Sequence, residues 1–552
     1  MMGTIAELVR ARQGDPNPAY VFESERWSYD EYVHACAARA QYLLESRQPG
    51  PFHVGVLLDN TPEFAIWLGA AAVAGAVVVG INPTRRGAEL ARDITFTDCQ
   101  WIVTETSYEP LLRGLDLGAA ANRRLVVDAE TPGYDDLLAA YAGSALPDVP
   151  IEESTLFLLL FTSGTAGAPK ACLCSQGRLA RMSGVLAEML PLTTADVCYQ
   201  SMPLFHSNAL ITGWTPCLAV GATGVLRRKF SASGFLPDVR AHGVTYFNYV
   251  GKPLSYILAT PEQPDDADNT LRVAFGNEAA DLDIERFERR FGCKVIDGYG
   301  STEGGAHISR TPDMPKGALG MAGEGTVILE SETGEECARA RFDDQGRLVN
   351  PDEAIGEIVN KQGAAGFEGY YKNDEANAAR VRDGLYWTGD LGYRDDAGYF
   401  YFAGRDFEWL RVDGENFAAA PVERILARHP DVVLAAVYAV PDPDVGDRVM
   451  AALQLQPGAS FDPDGFSVFL AQQPDLGTKW APRFVRVTEA LPVTETSKVL
   501  KRVLRRERWE CADPVWWQPE PGGAYRRLEP ADATALSEQF AARGRAGALD
   551  TV

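Results

Sequence analysis

Phe161–Lys170 reads FTSGTAGAPK, placing three hydroxyls, two glycines and one lysine between apolar segments. Thr162, Ser163, Gly164, Thr165 and Gly167 offer O–H and N–H donors on a backbone that a ligand can approach closely. Such a loop can wrap phosphate oxygens, and Lys170 adds a point charge. It is not a Walker loop, because G-x-x-x-x-G-K-[ST] is absent and Pro169 precedes the lysine. Taken alone, the stretch fits a polar hairpin turn equally well.

Four further clusters carry chemical groups. In Asp297–Glu303 (DGYGSTE), an apolar run leads into glycines, then a hydroxyl and a carboxylate. Thr302 could donate to a phosphate and Glu303 could hold Mg²⁺, which prefers oxygen ligands and bridges phosphates. The same residues would also serve as a helix N-cap with an acid in its first turn. In Tyr386–Gly392 (YWTGDLG), Asp390 could accept bonds from both ribose hydroxyls, with Arg405 of Gly404-Arg405 meeting the ribose or a phosphate. A turn aspartate and a surface arginine read as well. Leu491–Arg502 (LPVTETSKVLKR) presents Lys498 before a basic helix, a pattern shared with solvated charged faces. Finally, His206 in PLFH is either a site residue or a core histidine.

The elements that must position these groups alternate. Short β-branched runs such as His53–Leu57, Leu156–Phe161, Val244–Tyr249 and Lys294–Ile296 are separated by helical patterns such as Tyr29–Leu44 and Asp283–Phe291. That alternation predicts stacked α/β layers with mainly parallel strands in a large N-terminal domain over residues 1–404. Its last part, residues 322–404, is turn-rich and predicts a β-rich subdomain. Residues 405–517 read as a small α+β domain, with Gly414–His429 helical. The Pro-, Ala- and Arg-rich tail 518–552 is expected to be loosely ordered. Ala65–Asn82 carries no charge, but its Ala/Gly-rich first half and β-branched second half predict a buried helix and strand, not a membrane span.

The 552 residues carry a net charge of −24, which argues against nucleic-acid or anionic-membrane binding while allowing a local basic pocket. Nine scattered cysteines without C-x-x-C indicate reduced thiols, and six histidines without ligand spacing argue against a His/Cys metal site. The first residues show no secretory pattern, so a cytoplasmic protein is expected.

In their order and spacing, the Thr-Ser-Gly-Thr loop, Tyr-Gly-Ser-Thr-Glu, Thr-Gly-Asp, Gly-Arg and the distal lysine resemble the core motifs of the adenylate-forming superfamily. VGVLLDNTPEF (54–64), GINPTRRG (80–87), PLFHSNAL (203–210), YVGKPLSYIL (249–258), GYFYFAGR (398–405) and VDGEN (412–416) resemble its acyl-CoA ligases of the fatty-acid-transport-protein and very-long-chain type, especially actinobacterial fatty-acid and steroid-side-chain CoA ligases. The resemblance implies an acyl-CoA ligase that turns an apolar acid and ATP into acyl-AMP and pyrophosphate, then transfers the acyl group to CoA. It implies that Thr162, Ser163, Gly164, Thr165, Gly167 and Lys170 cradle pyrophosphate. By the same resemblance Thr302 would contact phosphate and acyl carboxylate, and Glu303 would bind Mg²⁺. Gly276, Asn277, Glu278, Tyr299 and Gly300 would flank adenine, Asp390 and Arg405 would hold the ribose, and Lys498 would bridge carboxylate and α-phosphate. His206 would line the acyl entrance. The small domain is expected to be mobile, rotating to bring Glu408–Gly414, with Arg411 and Gly414, beside the pantetheine tunnel. The acid, ATP and CoA are the expected partners, with a homodimer allowed for.

Three departures stand out: Ala166 replaces a usual Thr or Ser, Phe407 occupies a hinge position that is usually polar or Gly, and Glu408 follows it in place of Asp. One lost hydrogen bond to a charged group costs about 1.5–3 kcal/mol. Two rivals follow: a variant specialised for converting preformed acyl-adenylate to the thioester, and an inactive adenylate-binding scaffold.

Overall fold

The computed structural model describes the chain except residues 1–2, 129–132, 163–169, 280, 312, 345, 347, 406–408, 413–414, 444–446, 474, 478, 494–498, 521, 544, 546–548 and 550–552. Two sheets dominate the N-terminal part. One has six strands in the order Arg124–Val126, Cys99–Thr104, His53–Leu57, Val77–Gly80, Leu156–Thr162, Lys170–Ser175, parallel except for the last pair. The other has nine. Its parallel centre runs Lys294–Gly300, Val273–Asn277, Tyr246–Val250, Val197–Gln200, Thr223–Leu226, Pro18–Phe22, and its edge strands are antiparallel.

The alternation of side chains explains the layering. Leu158 and Leu160 enter one apolar cluster while Leu159 enters another. Tyr246 and Val250 point into the first cluster, and Phe247 and Tyr249 into a third. Strands covered on both faces read as continuous apolar runs, which is why LFLLLF has no polar alternation. The first cluster lies between the sheets and also takes in the helices Tyr29–Ser46, Pro62–Ala74 and Gln176–Met189. Pro62–Ala74 is buried at every position but Glu63, and Val77–Gly80 follows as a strand, as the reading of Ala65–Asn82 expected. No helix among the described residues is long and apolar enough to cross a membrane.

A five-stranded sheet follows, containing Thr326–Leu329, Gly356–Asn360, Leu385–Arg394 and Phe400–Arg405. The smaller C-terminal domain is built on Val432–Pro441, Asp447–Leu455, Phe484–Thr488, Val515–Trp517 and Arg526–Arg527, with apolar clusters on both faces.

Two expectations need correction. Gly414–His429 is not one helix: Glu415–Ala418 pairs antiparallel with Trp409–Val412, and only Ala419–Leu426 is helical. Pairing Leu410 with Phe417 buries both side chains, which a helix could not do. The tail also folds back. Pro530–Ala542 is helical and inserts Leu536 and Phe540 into a cluster with Phe484, Trp509 and Trp517. Leu536 and Phe540 lie four residues apart, so one helix face delivers both. Phe540→Ala, which empties a fully buried site, should destabilise the C-terminal domain by about 3 kcal/mol or more, measurable as a shift in its chemical-denaturation midpoint.

Candidate active site

Ligands of open parallel sheets bind beyond the carboxyl ends of the strands. Here those ends border a cleft of about 2370 Å³, whose walls also include Arg424, Lys501 and Arg505 of the C-terminal domain. Fourteen Lys and Arg line it beside twelve Asp and Glu, so the cleft lacks the strong acidic excess of the whole chain and offers cations to an anionic ligand.

Thr162 ends one strand and Lys170 starts its antiparallel neighbour, where the two are direct cross-strand partners facing the cleft. The residues between them, Ser163, Gly164, Thr165, Ala166 and Gly167 included, lie outside the described residues. Lys170 Nζ sits 5.5 Å from the centre of the Tyr370 ring. Burial, and then the charge of Arg380, lower its pKa, and Glu303 opposes that shift.

The second wall is formed by three adjacent parallel strands. Gly276 lies beside both Tyr249 and Asp297 in register. A Cβ there would come within 2.3 Å of the Tyr249 carbonyl oxygen, so only glycine fits and the wall stays flat. Asn277 donates through its side-chain amide to the Gly298 carbonyl, and Glu278 adopts a left-handed conformation at φ 70°. Gly276 sits in the wall itself, while Asn277, Glu278, Tyr299 and Gly300 line the cleft.

Three buried carboxylates close this end, each accepting a hydrogen bond from a tyrosine hydroxyl. Tyr370 donates to Glu303 (2.7 Å), Tyr299 to Asp390 (2.6 Å) and Tyr249 to Asp297 (2.8 Å). Arg380 Nε in turn donates to Tyr370 Oη at 3.2 Å. Asp297 also accepts from the Ala279 amide at 3.1 Å, yet burial pushes its carboxyl from the ordinary 3.8 up to about 7. Asp390 lies directly opposite Arg405 on the neighbouring strand, so Thr-Gly-Asp and Gly-Arg meet in one antiparallel register.

Thr302 Oγ1 lies 2.7 Å from Ser207 Oγ, which ties the Tyr-Gly-Ser-Thr-Glu segment to the start of a π-helical turn, Ala209–Trp214. His206 is half-buried and lines the cleft, and its Nδ1 accepts from the Asn208 amide at 3.4 Å. Asn208 is locked to the Tyr249 carbonyl and to Asn248, and Tyr246 donates to the Thr212 carbonyl. Among the described residues no group of three or more His, Cys, Asp or Glu could hold a metal ion. Phe407, Glu408, Gly414 and Lys498 lie outside the described residues, and for Arg405 and Arg411 only the strand positions are described.

Residues 9–371 match the family described as AMP-binding enzyme, and residues 421–498 match the AMP-binding enzyme C-terminal domain. The chain belongs to the AMP-binding enzyme family. It is 55% identical to the steroid-22-oyl-CoA synthetase of Rhodococcus jostii (strain RHA1), over 98% of both chains. It is 50% identical to the medium/long-chain-fatty-acid–CoA ligase FadD17 of Mycobacterium marinum, over 90% of this chain and 94% of that one. The crystal structure of ATP-bound MatB from Rhodopseudomonas palustris superposes with a TM-score of 0.77 at 25% identity, covering 92% of this chain and 98% of MatB. Within the family the chain is an acyl-CoA synthetase, a ligase of an acid to CoA that uses ATP.

Sequence reasoning did not single out Tyr370, Ser207 or Arg380: Tyr370 reaches Glu303 and Ser207 reaches Thr302 from distant segments, and Arg380 donates to Tyr370. It also passed over Met182, Val185, Leu186 and Met189, all lining the cleft. Their i, i+3, i+4, i+7 spacing is a helical stripe that was available to find.

Asp297 supplies a pH prediction. Between the ordinary carboxylate value of 3.8 and about 7 the folded chain binds a proton at Asp297 that the unfolded chain has released. Stability therefore declines as pH rises through that window. Asp297→Asn, which cannot ionise, should flatten the thermal midpoint across it, as read by calorimetry at closely spaced pH values.

Proposed function

We propose that this acyl-CoA synthetase activates an apolar carboxylic acid, of the fatty, steroid-side-chain or polycyclic terpenoid class. One observation carries the reading. Phe205, Ile211, Val250 and Phe275 form an apolar part of the cleft that continues to Thr302, Glu303 and Lys170. An apolar acid lodged there would lose contact with water and present its carboxylate at the phosphate end. The relatives named for steroid-22-oyl and medium/long-chain acids support the same class.

In the first half-reaction a carboxylate oxygen attacks the α-phosphorus of ATP, and pyrophosphate leaves with the bonding electrons. Catalysis of such a displacement is mostly positioning and charge neutralisation. Lys170 neutralises charge on the departing pyrophosphate, and Thr162, Ser163, Gly164, Thr165 and Gly167 donate hydrogen bonds to it. Thr302, held by Ser207, contacts the phosphate and the acyl carboxylate, donating its one hydroxyl proton to either, and Lys498 bridges those same groups. Gly276 and Tyr299 flank adenine, and Asp390, with Arg405 opposite, accepts from the ribose hydroxyls. Glu303 brings a single carboxylate, which fits Mg²⁺ held mainly by substrate phosphates and water. Bound there, the ion would neutralise phosphate charge. In the second half-reaction the CoA sulfur, having lost its proton, forms a bond to the acyl carbon and AMP leaves. Rotation of the C-terminal domain, with Arg411 and Gly414 brought to the pantetheine, would separate the two steps.

Two experiments test this. Acid-dependent ATP–pyrophosphate exchange, together with CoA-thioester formation over a panel of fatty, steroid and terpenoid acids by mass spectrometry, should both be positive. Thioester from synthetic acyl-adenylate without exchange would establish the thioesterification specialist, and neither activity would establish the scaffold. Tyr370→Phe leaves Glu303 without its hydroxyl donor and should lower kcat/KM for ATP about ten-fold or more, while half-saturation by the acid stays near the wild-type value.

A further inference from the structure

Helix Gln176–Met189 presents Met182, Val185, Leu186 and Met189 on one face, and all four border the cleft. Exposure differs across that face: Leu186 is 9% exposed and Met182 half-buried, while Met189 is 45% and Val185 62% exposed. The helix packs against the turn Ala209–Trp214, whose Ile211 and Thr212 line the same cleft. The stripe is therefore continuous with the apolar surface beside Phe205.

Exposed large apolar side chains are few elsewhere. Seven stand out among the described residues, and three of them, Val185, Met189 and Val493, border this cleft. Apolar side chains held in water at the rim of a substrate cavity lose that exposure when an apolar ligand covers them.

We propose that the outer face of this helix, through Val185 and Met189, is the binding strip for the distal apolar end of the acid. The inference rests on the apolar-acid reading above and adds to it an open-ended site. From Met182 to Met189 the strip runs about 10 Å along the helix at the rim of the cleft. Short acids end before reaching it, while long or multi-ring acids lie along it. Covering a Val and a Met side chain in this way gives an affinity gain only to acids that reach them.

The test is kinetic, on the full-length enzyme, with straight-chain acids from hexanoic to octadecanoic and a steroid-side-chain acid. Val185→Glu/Met189→Glu places charges at two solvent-facing positions and should leave the thermal midpoint unchanged. For the longest and bulkiest acids KM should rise about ten-fold or more, with hexanoate and ATP parameters within about two-fold of wild type. Val185→Ala/Met189→Ala should shift KM in the same direction by less. Equal losses for all acids, or none, would overturn the strip while leaving the apolar-acid reading intact. Unchanged acid kinetics with lost binding to phosphatidylcholine vesicles would also overturn it, making the face a lipid-docking surface. Failure of the wild-type enzyme to activate any apolar acid would instead sink the underlying reading, and the strip with it.

Discussion

Three carboxylates are removed from water at one end of the cleft, and each is held by a tyrosine hydroxyl. A buried carboxylate without a donor is costly, so Glu303, Asp390 and Asp297 depend on Tyr370, Tyr299 and Tyr249. The pairs also join separate parts of the fold. Tyr370 connects the segment beside strand Lys170–Ser175 to Glu303. Tyr299 connects the nine-stranded sheet to strand Leu385–Arg394. Tyr249 connects two strands within the nine-stranded sheet. Hydrogen bonding of functional groups and cohesion of the sheets are here the same contacts.

The rest of the architecture brings those pairs into range. Two sheets share one layer of helices, and their buried strands leave polar residues mainly at the ends. The candidate site residues therefore cluster at those ends, while the strands hold them at fixed spacing. The direct pairing of Thr162 with Lys170, and of Asp390 with Arg405, shows how sheet register sets distances that chain order leaves open.

Much of the fold was legible because its signals are local. The Leu156–Phe161 run shows burial on both faces, and the Ala65–Asn82 segment separates into helix and strand by composition alone. The failures have non-local causes. Glu415–Ala418 becomes a strand because Phe417 pairs with Leu410, and the tail becomes an ordered helix because Phe540 stacks on Trp509 in the cluster that also holds Phe484. Neither partner lies within one helical turn of the segment it orders.

For the site the division is similar. Residue types and their order were sufficient to mark the Thr-Ser-Gly-Thr, Thr-Glu, Thr-Gly-Asp and Gly-Arg runs as candidates, because each is a short run whose chemical groups lie close together in the chain. By itself the sequence thus determined the layered α/β class, the family and a set of candidate groups for acid activation. The tertiary structure alone decided which tyrosine satisfies which carboxylate, that Gly276 must be glycine, and that the apolar stripe of Gln176–Met189 opens into the cleft. Those outcomes rest on contacts across tens or hundreds of residues, where the burial of a charge or a methyl group depends on what the fold places against it.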